Sequence, residues 1–383
     1  MTAAAADVAV VGGGLVGTSV AYELALAGLS VALVDAAHPG RASDAGAGIA
    51  SPETFPEPDE DWFAFGLDAA RHLRRLVARL EEHGPRLGSE TFAECGSLVL
   101  ALAEHEDPWF MEIRERAMAR SRGVVEVSPD EACAMFPPLA PHWRALYNPA
   151  GARVDGRHLC RAMRTVAVEL GVHLVSMEAV GVERHGDRVT AVCGPEERVP
   201  CGAVVLAAGA WSTRAAGWLD ASLPVSPTKG QIVHVTVPGT VDSGAGGAGS
   251  DRWPIVQPVL NFYLVPWPGG RVACGGTFEA DAGFDVRPTA GGMRDLLREC
   301  VAIAPGLAGA TYLETRVGLR PTSVDDRPLL GPLPGTSNVH VCTGHGANGL
   351  LLGPYSAALV ATGILGPSPT APAAYAAARF EPR

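Results

Sequence analysis

Residues 7–17 read Asp-Val-Ala-Val-Val-Gly-Gly-Gly-Leu-Val-Gly, and few backbone arrangements are compatible with that string. Val8 to Val11 is a continuous apolar run rich in β-branched residues, as in a strand buried on both faces. Gly12, Gly14 and Gly17 follow at G-x-G-x-x-G spacing. An alanine-rich apolar segment over residues 15–26 then reads as a helix, ended by Gly28 at a C′ position. Residues 30–34 form a second strand, with Asp35 at its end. Gly12 permits the tight turn, Gly14 lets backbone approach a pyrophosphate, and Gly17 lets the helix lie close to the strand. Leu15 and Val16 open a helix whose free N–H groups and positive dipole end favour phosphate. Asp35 can accept hydrogen bonds from a ribose diol, and it follows the glycines by roughly the 20 residues a dinucleotide site requires. The alternative is a plain strand–turn–helix unit, and the string does not choose among dinucleotides.

Composition narrows the class. Of 383 residues, 47% are hydrophobic and 19% charged, which describes a globular enzyme with ample core material. A net charge of −11 with no lysine/arginine block excludes a nucleic-acid surface. No uninterrupted apolar run of about 20 residues is expected to span a membrane, and a basic leader region is lacking. The eight cysteines show no C-x-x-C and no paired ligand spacing. Reduced thiols in a cytoplasm, with no disulfide framework and no metal centre, are expected. Residues 243–250 are a low-complexity patch expected to be a mobile loop.

Further along, small residues dominate 38–52, including Ser43, Asp44, Ala47 and Gly48. Such a loop can pass close to a flat ligand, and Ser43 and Asp44 could hydrogen-bond it; a solvent loop with capping residues is the alternative. Helices are expected at 61–83, 107–122 and 155–171. Strands are expected at 95–101 and 172–176, followed by a hairpin of 181–184 with 188–193. The apolar strand 204–207 ends in Ala208-Gly209-Ala210-Trp211, which brings bare backbone to a strand's C-terminal end, where open α/β sheets bind ligands. A ligand-free turn is the alternative there. From Thr228 the pattern changes to antiparallel strands at 231–237, 261–266 and 271–277, with a helix at 293–303. A last buried strand, 339–342, runs into Gly344-His345-Gly346-Ala347-Asn348-Gly349-Leu350, a glycine-rich turn that opens another helix. It is a second place for a negative or electron-rich group.

With these segments together, the chain resembles the D-amino acid oxidase superfamily of FAD-dependent amine and amino-acid oxidoreductases over nearly its whole length. The carrying motifs are Gly12/Gly14/Gly17, the loop from Ser43 to Gly48, Ala207 to Ser212, Val317-Gly318-Leu319-Arg320-Pro321, and the turn Gly344 to Gly349. Glycine oxidase, sarcosine oxidase and D-amino acid dehydrogenase types are the nearest in look. The resemblance implies an α/β fold: a Rossmann-like FAD-binding domain from residues 1–84, 149–222 and 315–383, with an inserted α+β substrate domain from 85–148 and 223–314 built on an antiparallel sheet. It implies FAD on the fingerprint helix, with Asp35 on the adenosine ribose. Backbone at Gly344, His345, Gly346, Asn348, Gly349 and Leu350 would lie near the flavin, although His345 could equally be a packing or capping residue. In the family's Gly-Leu-Arg-Pro context, Arg320 grips the substrate carboxylate through its bidentate fork; the alternative is a structural pair with Asp325 or Asp326. Tyr263 would add a hydroxyl to that carboxylate or else pack in the core.

Sarcosine oxidases carry a flavin-bonding cysteine near this segment, where the chain has Leu319 and Arg320, so non-covalent FAD is expected. They also carry a lysine on the strand resembling 271–277, which has none. The reaction implied is oxidation of the C–N bond of an amino acid or N-substituted glycine by hydride transfer to flavin N5, followed by imine hydrolysis. The electron acceptor is oxygen or another molecule, and no obvious nucleophile–base constellation is needed. Less usual N–N-bonded amines fit the same residues. The competing expectations are an NAD-dependent dehydrogenase, a flavin monooxygenase, and a non-catalytic flavoprotein subunit.

Overall fold

The computed structural model describes residues 5–55, 59–84, 86–121, 123–238, 249–259, 262–366 and 371–380, and statements of absence below concern these residues. At its centre the strand Ala6–Val11 pairs in parallel with Val31–Asp35 on one side and Arg198–Leu206 on the other. His173–Ser176 extends the sheet beyond Val31–Asp35, and Val339–Thr343 beyond Arg198–Leu206, both in parallel. Val8 to Val11 are at most 5% exposed, because helices cover one face and a second apolar layer the other. The helix Leu15–Leu26 packs against Gly156–Glu169 and the C-terminal helix Gly349–Leu365, which also contacts the long helix Glu60–His83. All C-terminal ends of the parallel strands therefore open to one side of the molecule.

Facing that side is a second eight-stranded sheet. Its order is Thr311–Ser323, Val225–Thr236, Arg271–Gly275, Tyr263–Pro266, Ile255–Pro258, Ser97–Ala101, Arg144–Asn148 and Val125–Val127. The expected antiparallel layer is present with one departure: Ile255–Pro258 and Ser97–Ala101 run parallel. Side-chain alternation divides its faces. Val233, Val235, Leu264, Val272 and Cys274 pack under the helix Ala290–Ile303, whereas Ile232, Ile255, Val265 and Ala273 turn the other way, toward Ala47. The strand Thr311–Ser323 belongs to this sheet, so the boundary drawn at 314/315 falls inside it.

Several sequence expectations need amending. The helix expected at 107–122 is Asp107–Arg120. The strand expected at 261–266 is Tyr263–Pro266, with Asn261 outside the described residues. Of the expected mobile loop, residues 243–248 lie outside the described residues, while Ser250–Arg252 forms a 3-10 turn. The stretch Gly346–Leu365 is, by length and composition alone, long and apolar enough to cross a membrane, and half of it is buried inside the fold, as a core helix would be. All eight cysteines are free.

Candidate active site

A cavity of about 920 Å³ runs from the glycine turn to the second sheet. At its near end, Gly12 adopts φ 108°, and a Cβ there would lie 2.8 Å from the Ala207 carbonyl carbon. A Cβ on Gly17 would strike the Gly12 carbonyl, so Gly17 serves helix packing and does not line the cavity. Gly14, Leu15 and Val16 do line it. The Ser43 hydroxyl accepts from the Leu15 N–H at 2.9 Å, capping the helix from the cavity side.

Asp35 lines the cavity with its carboxylate over Gly13, where a Cβ would sit 2.5 Å away. It accepts from Arg41 Nη1 at 2.9 Å, and Arg164 stands 3.7 Å away. Asp44 lies outside the lining, its carboxylate accepting from Arg41 Nε at 3.0 Å. The structure thus adds Arg41, a cavity-lining cation that sequence reading passed over inside the small-residue loop. Ala47, Gly48, Ala208, Gly209 and Trp211 continue the wall. The Trp211 ring stacks on His38, with centroids 5.1 Å apart.

At the C-terminal turn, His345, Gly346, Asn348, Gly349 and Leu350 line the cavity, and Gly344 does not. His345 is 2% exposed, and burial holds its pKa down to about 3, so the ring is neutral. Neither ring nitrogen has a hydrogen-bond partner among the described residues. A neutral imidazole stripped of water and partners is costly unless something in the cavity satisfies it.

The far end is built on the second sheet. Arg320 stands opposite Thr228 on the neighbouring strand, and its guanidinium lies over Gly230, where a Cβ would fall 2.5 Å from Cζ. The Tyr263 hydroxyl lies over Gly275 and Gly276, 2.7 Å from a Cβ built on either. Gly230 and Gly275 from two adjacent strands, with Gly276 just past the end of the second, therefore make a flat floor on which both side chains rest. Arg320 Nη1 donates to the Thr277 carbonyl at 2.8 Å, Nη1 also reaches the Lys229 carbonyl at 3.4 Å, and the guanidinium stacks on Phe278 at 4.1 Å. No carboxylate among the described residues comes within ion-pair distance of it. Asp325 is held by Arg379 at 2.8 Å, and neither Asp325 nor Asp326 forms the alternative pair with Arg320. Burial pulls the Arg320 pKa down and pushes the Tyr263 phenol up, and their mutual contact opposes both shifts. Phe278 and the floor glycines were missed from sequence; glycines inside strands, at 230 and 275, were the available signal.

The residues fit an extended dinucleotide: a glycine-cradled helix end, an acid over the turn, bare backbone at 208–209, and an unpartnered neutral imidazole at the opposite helix start. The volume reaches the upper range for ligand sites. The model of the DAO family, described as FAD dependent oxidoreductase, matches residues 7–362. The glycine oxidase of Pseudomonas aeruginosa is 33% identical, over 96% of this chain and 98% of its own. The crystal structure of iminodiacetate oxidase from Chelativorans sp. BNC1 matches with a TM-score of 0.89 at 34% identity, covering 96% of this chain and 98% of that one. Glycine oxidase from Geobacillus kaustophilus matches with 0.87 at 26% identity, covering 99% and 100%.

Proposed function

The chain belongs to the DAO family of FAD dependent oxidoreductases, and on that premise we propose that it oxidises the C–N bond of an N-substituted glycine or a related amino acid. The observation that carries this reading is Arg320: a cation set on a glycine floor at the cavity wall, with no carboxylate among the described residues within ion-pair distance. Such a cation is costly unless a ligand anion arrives, and a planar fork suits a carboxylate. Tyr263, kept neutral, donates its hydroxyl to the same carboxylate. Together they fix the orientation of the carbon between carboxylate and amine. The similarity to a glycine oxidase and an iminodiacetate oxidase over whole chain lengths supports the same substrate class.

FAD, when bound, supplies the acceptor for the two electrons leaving the substrate's C–N unit. Gly12, Gly14, Leu15, Val16 and Ser43 would hold the pyrophosphate, and Asp35 with Arg41 the adenosine end. Ala47, Gly48, Ala208, Gly209 and Trp211 would form the middle wall, and His345, Gly346, Asn348, Gly349 and Leu350 the flavin end. Gly17, Asp44 and Gly344 would act from behind, through helix packing, the grip on Arg41 and the shape of the turn. Non-covalent binding is supported by the thiols: Cys342 is the cysteine in the described lining, and burial pushes its pKa far up, which keeps it protonated and unreactive. Loss of two electrons and two protons, a hydride from carbon and a proton from nitrogen, converts the neutral amine to an imine, which water hydrolyses to an oxo acid and the free amine. Dioxygen is the proposed acceptor, in line with the relatives' names.

The test is a panel of glycine derivatives and amino acids on the purified yellow protein, following flavin bleaching without oxygen and peroxide in air. Bleaching by N-substituted glycines is expected. A flavin that stays oxidised with every carboxylate-bearing amine would sink the proposal.

A further inference from the structure

One more side chain stands beside Tyr263 on the cavity face of the second sheet. The strand Ile255–Pro258 runs antiparallel to Tyr263–Pro266 with Val256 opposite Leu264, so Gln257 sits beside Tyr263, one strand further from Arg320. Alternation fixes its side. Val256 and Leu264 belong to the core beneath the helix Ala290–Ile303, while Ile255 and Val265 belong to the face turned toward the cavity. Gln257, two residues beyond Ile255, shares that face and lines the cavity. Its Oε1 is buried and accepts no hydrogen bond from any described residue. Among the described lining side chains, only Gln257 and His345 carry such orphaned polar atoms. His345 is accounted for by the cofactor end of the cavity. Gln257 lies at the substrate end and is not.

A buried acceptor without a donor is a standing penalty, and a ligand that supplies the donor is favoured over an isosteric one that does not. Resting on the reading that the carboxylate binds Arg320 and Tyr263, we propose that Gln257 Oε1 accepts a hydrogen bond from the group carried on the substrate nitrogen. The enzyme thereby selects N-substituted glycines whose substituent bears a hydroxyl or amino donor. Gln257 is the first hydrogen-bonding side chain along the sheet beyond Tyr263, on the side away from the carboxylate anchor. A hydrocarbon substituent would leave Oε1 dry and unpaired.

The experiment compares N-(2-hydroxyethyl)glycine with N-propylglycine, which have the same length, on the flavin-loaded enzyme and two variants. The wild type is expected to favour the hydroxyl substrate in kcat/KM by roughly tenfold, the size of one buried hydrogen bond, with the difference in KM. Gln257→Leu should bring that ratio to near one. Gln257→Glu keeps an acceptor in place and should keep the preference, even where its charge raises KM for both substrates. Flavin content and melting temperature establish that each variant is folded. A wild-type ratio near one, a ratio unmoved in Gln257→Leu, or a ratio lost in Gln257→Glu as well would overturn the role of Gln257 while leaving turnover intact. Absence of turnover with both amines and with glycine would overturn the functional reading beneath it.

Discussion

Arg320 shows how much of a site can depend on what its neighbours lack. Its guanidinium lies flat because Gly230 has no side chain, and no carboxylate among the described residues pairs with it, Asp325 being held by Arg379. Arg320→Ala is therefore expected to weaken binding of carboxylate substrates by roughly 2–5 kcal/mol, the range for truncating one partner of a buried charge pair. Arg320→Lys should recover only part of this, since a point charge offers neither the fork nor the stack on Phe278. KM values for a glycine derivative measure both, and an unchanged KM in Arg320→Ala would refute the anchor. Gly230→Ala makes a sharper test because it leaves the cation in place. A methyl group 2.5 Å from Cζ must push the guanidinium off the floor, and misplacement of about 1 Å can cost on the order of a hundredfold in rate. The expected outcome is a fall of at least tenfold in kcat/KM with a melting temperature close to the wild type's. Equal kinetics would mean that the floor does not set the anchor.

At the scale of elements, the fingerprint unit was legible and the second sheet only partly so. The strand Ala6–Val11, the helix Leu15–Leu26 and Asp35 follow from local rules, because a parallel strand, its turn and its helix are contiguous in the chain. Arg320 was legible too, but only through its motif; nothing within residues 314–323 announces that Gly230, Gly275 and Gly276 lie beneath it. Those glycines come from strands paired across roughly 40 to 90 residues of chain, and order of that kind is settled by packing, not by local pattern. The parallel pairing of Ile255–Pro258 with Ser97–Ala101 escaped for the same reason. The fingerprint glycines themselves separate on close inspection. A Cβ on Gly17 strikes the Gly12 carbonyl, whereas a Cβ on Gly14 meets only the Ser43 hydroxyl at 3.2 Å. Gly17→Ala should thus destabilise the protein by about 1–3 kcal/mol, as overpacking does, and release flavin as a consequence. Gly14→Val should lose flavin while the flavin-free protein keeps its urea midpoint. Identical stability losses in the two variants would dissolve the distinction between a packing glycine and a cradle glycine.

For the whole molecule, packing the layers together leaves titratable groups stranded far from water, and this sets its acid limit. Burial depresses the pKa of His345 and His234 to about 3 and that of His72 to about 4, with nearby arginines adding to the effect at His234 and His72. All three are neutral in the fold, while in the unfolded chain each titrates near 6.5. Below 6.5 the unfolded chain therefore binds more protons than the native state, and stability present above that pH is lost as pH falls toward the folded values. Each such histidine contributes a slope approaching about 1.4 kcal/mol per pH unit once well below 6.5. Glu53 acts with the opposite sign: burial raises its pKa, so its contribution is fully present below the usual carboxylate range and fades as pH rises through its native value. Between pH 6.5 and 5 the surface carboxylates remain ionised in both states, so the histidines dominate that window. Urea midpoints should fall steadily from pH 6.5 to 5, and replacing His234 with glutamine should reduce that slope by about one proton's share. Slopes, not absolute midpoints, carry the test, because the substitution itself perturbs the packing around a 2% exposed side chain. A flat midpoint across this window, or a slope unmoved in His234→Gln, would mean that these rings take up protons within the fold and that their surroundings are wetter than the packing implies.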